Sequence, residues 1–285
     1  MRIIRLEATS VCDMLAIVVH DEHEDGNPEG VARWDGHSWS WISQGPNWTL
    51  GLINDGKNWL TMDFDGTIAA IHDERREIIS RGPFGLNDCY MTGNCMYVVG
   101  SRGTISLYDK SVWRSIPSHS NDSLYSIHGS GSLTFACGTN GSLYSIQGNT
   151  AVRMEVDGIF DFTSIYCTRA GDAYIAGGRD QVGVLNVPSR NSVRTFPFRP
   201  SFVRTSPDDT VLLANWTGEL WRIEDGVLLR VNTIHSRIPP IFCSTRNADV
   251  VAFGGQDAMV LMDQQDNYNI VHLDLDPGFL ASSEA

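Results

Sequence analysis

Short apolar runs rich in Val, Ile, Leu, Tyr and Phe alternate along the chain with clusters of Gly, Asn, Asp and Ser. That pattern predicts β-strands joined by tight turns. No stretch keeps a 3.6-residue apolar period over three turns, so few helices are expected. The segment IHDERREIIS (71–80) has the polar content of a surface helix, yet it aligns with the third and fourth strands of neighbouring segments and is assigned as strand.

The runs recur. YVVGSRGTISLYD begins at Tyr97, FACGTNGSLYSI at Phe135, YIAGGRDQVGVLN at Tyr174, LLANWTGELWRI at Leu212 and VAFGGQDAMVLMD at Val251. LTMDFDGTIAAIHD from Leu60 precedes them, and successive starts lie 37, 38, 39, 38 and 39 residues apart. A looser copy, LAIVVHDEHEDGNPEGVARWD from Leu15, carries an acidic insertion at its turn. Each unit reads as four strands: 86–92, 95–100, 104–108 and 112–117 in the third, and 123–128, 133–138, 142–146 and 151–156 in the fourth. Gly100, Gly103, Gly138 and Gly141 bracket tight turns expected to need positive φ.

Seven such units with a period near 40 predict an all-β fold, a seven-bladed β-propeller of four-stranded antiparallel blades. A single domain is expected over 1–285, with blades near 1–43, 44–81, 82–118, 119–157, 158–199, 200–235 and 236–279 and a tail at 280–285. Strands at 2–9 and 269–275 leave closure open. Either each blade is continuous in sequence, or the N-terminal strand completes the last blade.

FDGTIAAIHD (64–73) and TGELWRIED (217–225) resemble WD-repeat propellers, in which an acidic or Gly turn enters the third strand and an aromatic-Asp pair ends it. Trp34-Asp35 and Tyr108-Asp109 match that pair; Leu185-Asn186, Met262-Asp263 and Ile223-Glu224 match it loosely. The upstream Gly-His element is absent, so the resemblance is to the broad WD-repeat/YVTN-like superfamily, and it implies a fold and not a partner.

In that architecture the turns between second and third strands share one side with the links between blades, and loops on a rigid scaffold carry function. The turns are 20–29, 63–66, 100–103, 138–141, 177–181, 215–218 and 254–257, and the links add Trp48, 81–84, 157–161 and 235–240. Candidate partner-binding residues there are Asp21, Glu22, Glu24, Asp25, Trp48, Asp63, Asp65, Phe84, Arg102, Arg179, Asp180, Trp216 and Asp257. Trp48 and Trp216 are candidate aromatic anchors, and Arg102 and Arg179 occupy equivalent turns. Trp39, Trp41, Trp59, Trp113 and Trp221 fall inside strands and are assigned to packing between blades.

Charge narrows the partners. The chain has 285 residues, 21 basic and 34 acidic, for a net charge of −13. Recognition of phosphates rests on clustered Lys and Arg, so neither nucleic acid nor an anionic lipid surface is an expected partner. The residues His20 to Asp25, six ionisable groups in a row, read as a solvated loop or as an acidic contact surface for a basic protein. His20 and His23 with a carboxylate supply ligand types that zinc accepts, but no third separated ligand stands with them, and no metal or cofactor is assigned.

No GxSxG, HExxH, P-loop or EF-hand pattern occurs, and WDGHSW (34–39) fails the spacing of a sialidase Asp box. The other histidines are scattered and read as surface or satisfied core residues. Six cysteines without a CxxC pair read as buried reduced thiols, which fits a cytoplasmic protein. No run approaches a membrane span, and the N-terminus lacks the apolar core of a signal peptide, so the three sequons carry no weight. The expected function is a non-enzymatic protein-binding propeller: an inhibitor or immunity-type protein that neutralises a basic effector such as a nuclease toxin. An assembly scaffold is the alternative, and a small-ligand or metal-binding propeller enzyme a more distant one.

Overall fold

The computed structural model describes residues 1–20, 29–44, 48–72, 75–109, 112–156, 161–169, 171–177, 202–205, 209–215, 219–224, 227–231, 241–246, 251–263 and 268–276. Within them, strands follow one another in meanders. The first blade is β1 (Arg2–Ser10), β2 (Asp13–Val19), β3 (Glu29–Trp34) and β4 (Trp39–Gln44); the second is β5 (Thr49–Asn54), β6 (Trp59–Asp63), β7 (Thr67–His72) and β8 (Arg75–Arg81). The third is β9 (Leu86–Thr92), β10 (Cys95–Gly100), β11 (Ile105–Asp109) and β12 (Val112–Ser115). The fourth is β13 (Leu124–Ser130), β14 (Leu133–Gly138), β15 (Leu143–Gln147) and β16 (Thr150–Arg153). β17 (Phe162–Cys167) and β18 (Ala173–Gly177) make a two-stranded sheet. β19 (Phe202–Thr205), β20 (Val211–Ala214), β21 (Leu220–Glu224) and β22 (Val227–Arg230) form the next blade, and β23 (Ile241–Arg246), β24 (Val251–Gly255), β25 (Ala258–Met262) and β26 (Tyr268–His272) the last.

Six complete four-stranded blades are therefore present among the described residues, where seven are expected. The fifth unit shows its first two strands only, because 178–201 lie outside the described residues. Of the segment 71–80, residues 71–72 lie in β7 and 75–80 in β8, as its alignment predicts.

Burial explains the sequence pattern. Second strands such as β2, β20 and β24 are buried along nearly their whole length, so they read as unbroken apolar runs. Fourth strands β12, β16 and β22 are largely exposed. Four of the six fourth strands carry an arginine that reaches back to an acid of its own blade: Arg76 to Asp63, Arg114 to Asp109 at 3.7 Å, Arg153 to Asp122 at 3.5 Å and Arg230 to Glu219 at 3.4 Å.

By contact density the chain divides into two compact units. One holds Met1–Asp63, Ile68–Ile79 and Arg204–Ala285, the other Phe64–Thr67 and Ser80–Val203. In the first, Ile3, Met14 and Ala16 share a core with Ala252, Met259 and Val271, so the first and last blades pack on each other. β1 pairs with β2, and β26 with β25, so the end blades are each continuous in sequence and exchange no strand. An ion pair from the Met1 ammonium to Asp257 Oδ1 at 2.6 Å and a bridge between Arg2 and Gln256 join them.

In the second unit, Val99, Ile105 and Leu107 pack on Leu124, Ile127 and Tyr144; Phe135, Cys137 and Leu143 pack on Phe162, Ile165 and Ile175. Each core is thus a contact between consecutive sheets. Among the described residues, first strands carry a bulge at Ile4, Leu50, Asn87, Tyr125, Thr163 and Phe242. In the second unit the residue after the bulge accepts a backbone N–H of the next first strand. Asp88 Oδ2 takes Ile127 N–H at 2.9 Å, Ser126 Oγ takes Ile165 N–H at 3.3 Å, and Ser164 Oγ takes Val203 N–H at 3.3 Å, always 39 residues on. The bulge re-aims a side chain into the neighbouring blade, and this bond repeats with the period of the sequence. His128 is half-buried and satisfied: its Nδ1 accepts Cys167 N–H at 3.1 Å and its ring lies between Tyr90 and Tyr166.

The turn glycines need correcting. Gly100 and Gly138 are extended, with φ of −169° and −173°. Positive φ falls instead on Arg102 and Gly103, and on Asn140 and Gly141. Gly100 and Gly138 are glycine for room: a Cβ would stand 2.2 Å from Gly85 O in one and 1.9 Å from Ser123 O in the other. Among the cysteines, Cys137 and Cys167 are buried, and burial pushes the Cys167 thiol up to about 12. Cys12 is exposed, contrary to expectation, because it sits in the β1–β2 turn against Gly36.

Candidate functional site

In the second unit the turns between second and third strands are tied by their backbones to the links between blades. Phe64 O accepts Gly85 N–H at 2.8 Å, Gly66 O accepts Gly82 N–H at 2.8 Å, and Ser101 N–H donates to Gly85 O at 2.7 Å. Gly103 N–H donates to Asp122 O at 2.7 Å, and Asn140 N–H to Asp161 Oδ1 at 3.0 Å. The expected sharing of one side by turns and links therefore holds in this unit. Asp122 organises the next turn, accepting from Asn140 Nδ2, Ser142 Oγ and Ser120 Oγ, each at 2.8 Å. The Asn140 amide, with the two hydroxyls, holds its carboxyl below the ordinary carboxylate range.

Three predicted residues come together here. Phe84 is 71% exposed, its ring edge-on to Phe64 at 4.9 Å, on the link that Gly85 fastens to the turns on both sides. Asp65 Oδ1 caps its own turn through Thr67 N–H at 2.8 Å, and its other oxygen lies 3.8 Å from Arg81. Arg102 is exposed at the tip of its turn, in the left-handed conformation at φ 56°.

Beside Phe84, a cleft of about 520 Å³ runs from Pro83 and Arg102 to Trp113 and Pro117. Trp113 is a fixed wall: its Nε1 donates to Ser80 Oγ at 3.0 Å, its ring lies on Tyr108, and a Cβ on Gly82 would stand 2.4 Å from the indole. Sequence reasoning assigned Trp113 to packing and missed the cleft, because the link at Pro83 and the stretch from Trp113 to Ser118 are set beside Arg102 only by the fold.

The first unit holds the remaining described candidates apart. Trp48 is exposed, with φ 83°. Asp257 is exposed but spent on the Met1 ammonium and on backbone bonds at the seam of the end blades. Asp63 is corrected outright: it is 3% exposed, pairs with Arg76 and accepts from Thr49 Oγ1 at 3.1 Å, so it offers no carboxylate to a partner. Asp21, Glu22, Glu24, Asp25, Arg179, Asp180 and Trp216 lie outside the described residues.

Next to Asp63, Glu29 is 4% exposed and its Oε1 accepts Thr49 N–H at 2.7 Å. Burial pushes its carboxyl above the ordinary 4.5, and the Asp63 charge adds to this. With the folded value above the unfolded one, the stability this group contributes is present below 4.5 and lost as pH rises through its folded value. Glu29→Gln keeps the acceptor and removes the titration. Melting curves from pH 4 to 8 should therefore show the variant gaining on the wild type as pH rises; a pH-independent difference would count against the assignment.

Among the described residues no three His, Cys, Asp or Glu side chains gather as a metal-binding group. No helix among them is long and apolar enough to cross a membrane.

No protein-family profile and no curated protein matches the chain. Solved structures do. The WD40 β-propeller domain of Doa1 matches with a TM-score of 0.71 at 9% identity, covering 92% of each chain. The structure of YCF48 bound to D1 peptide matches at 0.72 and 12%, covering 91% of this chain and 92% of that one. The fold is a β-propeller. A streptogramin B lyase also matches, at 0.65 and 11%, over 80% of this propeller and 84% of its own chain. At these identities the likeness concerns the fold alone, the level at which the WD-repeat resemblance of the sequence was drawn.

Proposed function

We propose that this propeller is a non-enzymatic protein-binding module that docks its partner on the turn-and-link surface around Phe84. The observation that carries the reading is an aromatic ring left 71% exposed on a link whose backbone is bonded to turns on both sides. A rigid, solvent-facing aromatic of this kind is what binding hot spots use. The YCF48 structure, of the same fold, has a peptide bound.

Within that reading, the net charge of −13 selects a basic partner. The finer proposal is an immunity-type inhibitor acting in the cytoplasm, covering the positive groove of a phosphate-binding effector such as a nuclease toxin. A scaffold like the WD40 domains is the second reading, favoured by the fold likeness to Doa1.

The test is recovery of partners from native cells on tagged wild type, on Phe84→Ser and on a variant with Asp21, Glu22, Glu24 and Asp25 made neutral. One basic protein, bound in a salt-sensitive way and lost with either variant while melting temperatures hold, supports the inhibitor. Several partners of mixed charge support the scaffold. Recovery unaffected by Phe84→Ser, or turnover of a substrate by the purified chain, overturns the docking surface.

A further inference from the structure

The turns at Arg102 and Asn140 are built alike, and their tips are used differently. Both tips are left-handed, at φ 56° and 54°. Asn takes that conformation readily, whereas for most other residues it costs about 1 kcal/mol or more. The Asn140 amide is spent inside the fold, on Asp122. The Arg102 guanidinium has no hydrogen bond or ion pair among the described residues, while Arg76, Arg114 and Arg153 each reach a carboxylate. A strained backbone here holds out an uncommitted cation, and it does so at the edge of the cleft.

The cleft around it suits one chemistry. Ser115 contributes a hydroxyl to its lining, those of Thr104 and Ser118 being donated within the fold to Ser101 O at 2.7 Å and Ser120 O at 3.4 Å, and Trp113 and Ile116 contribute apolar surface. A planar guanidinium with the Ser115 hydroxyl in the same cleft matches a carboxylate, which accepts a forked pair of N–H bonds from the guanidinium. The geometry points to this cleft as the seat of an aspartate or glutamate side chain of a docked peptide, an inference that rests on reading the loop surface as a protein-docking site. A peptide fits better than a free acid because the bare Phe84 ring, beside Pro83 of the lining, extends the apolar surface past the cleft. The net charge of −13 attracts the basic remainder of the partner over a distance; the Arg102 contact acts within hydrogen-bond range, far inside a screening length of about 8 Å.

Arg102→Asn is the decisive variant, since it places in this turn the residue found in the next one. It should melt at or above the wild-type temperature. A random heptapeptide phage library is panned on the full chain and on the variant. The wild type should enrich Asp or Glu at one fixed position beside apolar residues, and Arg102→Asn should lose that enrichment. The Asp→Asn copy of a selected peptide should bind the wild type about tenfold more weakly and bind Arg102→Asn equally. Absence of an acidic preference on the wild type, or its survival in Arg102→Asn, overturns the inference. So does N-acetyl-aspartate amide displacing the peptide at equal concentration, which would make the cleft a small-acid site. Selected peptides that need Phe84 but show no acidic preference leave the docking surface standing and remove only the carboxylate; no enriched peptide at all removes both.

Discussion

Phe135→Ala is expected to destabilise the protein by about 3–5 kcal/mol, read as a fall in denaturation midpoint at unchanged slope. Phe135 is 4% exposed and packs with Cys137, Leu143, Phe162 and Ile175, where the fourth blade meets the β17–β18 sheet. Truncation leaves a cavity with walls from both sheets, and two sheets held by their own hydrogen bonds have little freedom to close it. Tyr97, at the equivalent place in the third blade, provides the calibration. Its hydroxyl donates to Gly148 O at 3.1 Å, so Tyr97→Phe keeps the packing and should cost only about 1 kcal/mol. If Phe135→Ala costs no more than that control, the core does not lie between consecutive sheets as described.

Gly138→Ala should be nearly as damaging, about 3 kcal/mol or more. The cause differs from that usual for a turn glycine. At φ −173° any residue adopts this backbone, so the cost is steric: the new methyl would sit 1.9 Å from Ser123 O and 2.7 Å from Leu124 Cα, both main chain. Gly131 gives the opposite case, with φ 60° and nothing within 4 Å. Gly131→Ala should therefore cost about 1 kcal/mol, from backbone conformation alone. Thermal melts of the two variants separate the explanations, and similar losses in both would refute the close approach at Gly138.

These glycines show what the sequence could convey. The repeat of Tyr97, Phe135 and Tyr174 was legible because second strands are buried along nearly their whole length and so are mostly apolar, which made the order of the strands readable. The local device at each turn was not. Gly100 and Gly103 look alike in sequence and both face a close carbonyl, yet only Gly103 also makes a left-handed bend. The first-strand bulges were hidden for the same reason, since Asn87, Tyr125 and Thr163 share no residue type and only register reveals them.

At the candidate site, Phe84, Asp65 and Arg102 could be found from loop position alone. Asp63 could not be separated from Asp65 without seeing Arg76 reach it from β8. The Trp113 wall was beyond reach because its partners Gly82 and Ser80 are more than thirty residues away and carry no motif.

The arginines of the outermost strands have a further effect. An outermost strand offers its unpaired main-chain groups to any extended chain that approaches, which is how sheets extend from one molecule into another. Here β8, β12, β16 and β22 are each fronted by a guanidinium held by an acid of its own blade. A newcomer would have to displace those pairs before adding a fifth strand, so intermolecular growth is disfavoured at these four blades while the loops stay free to be occupied.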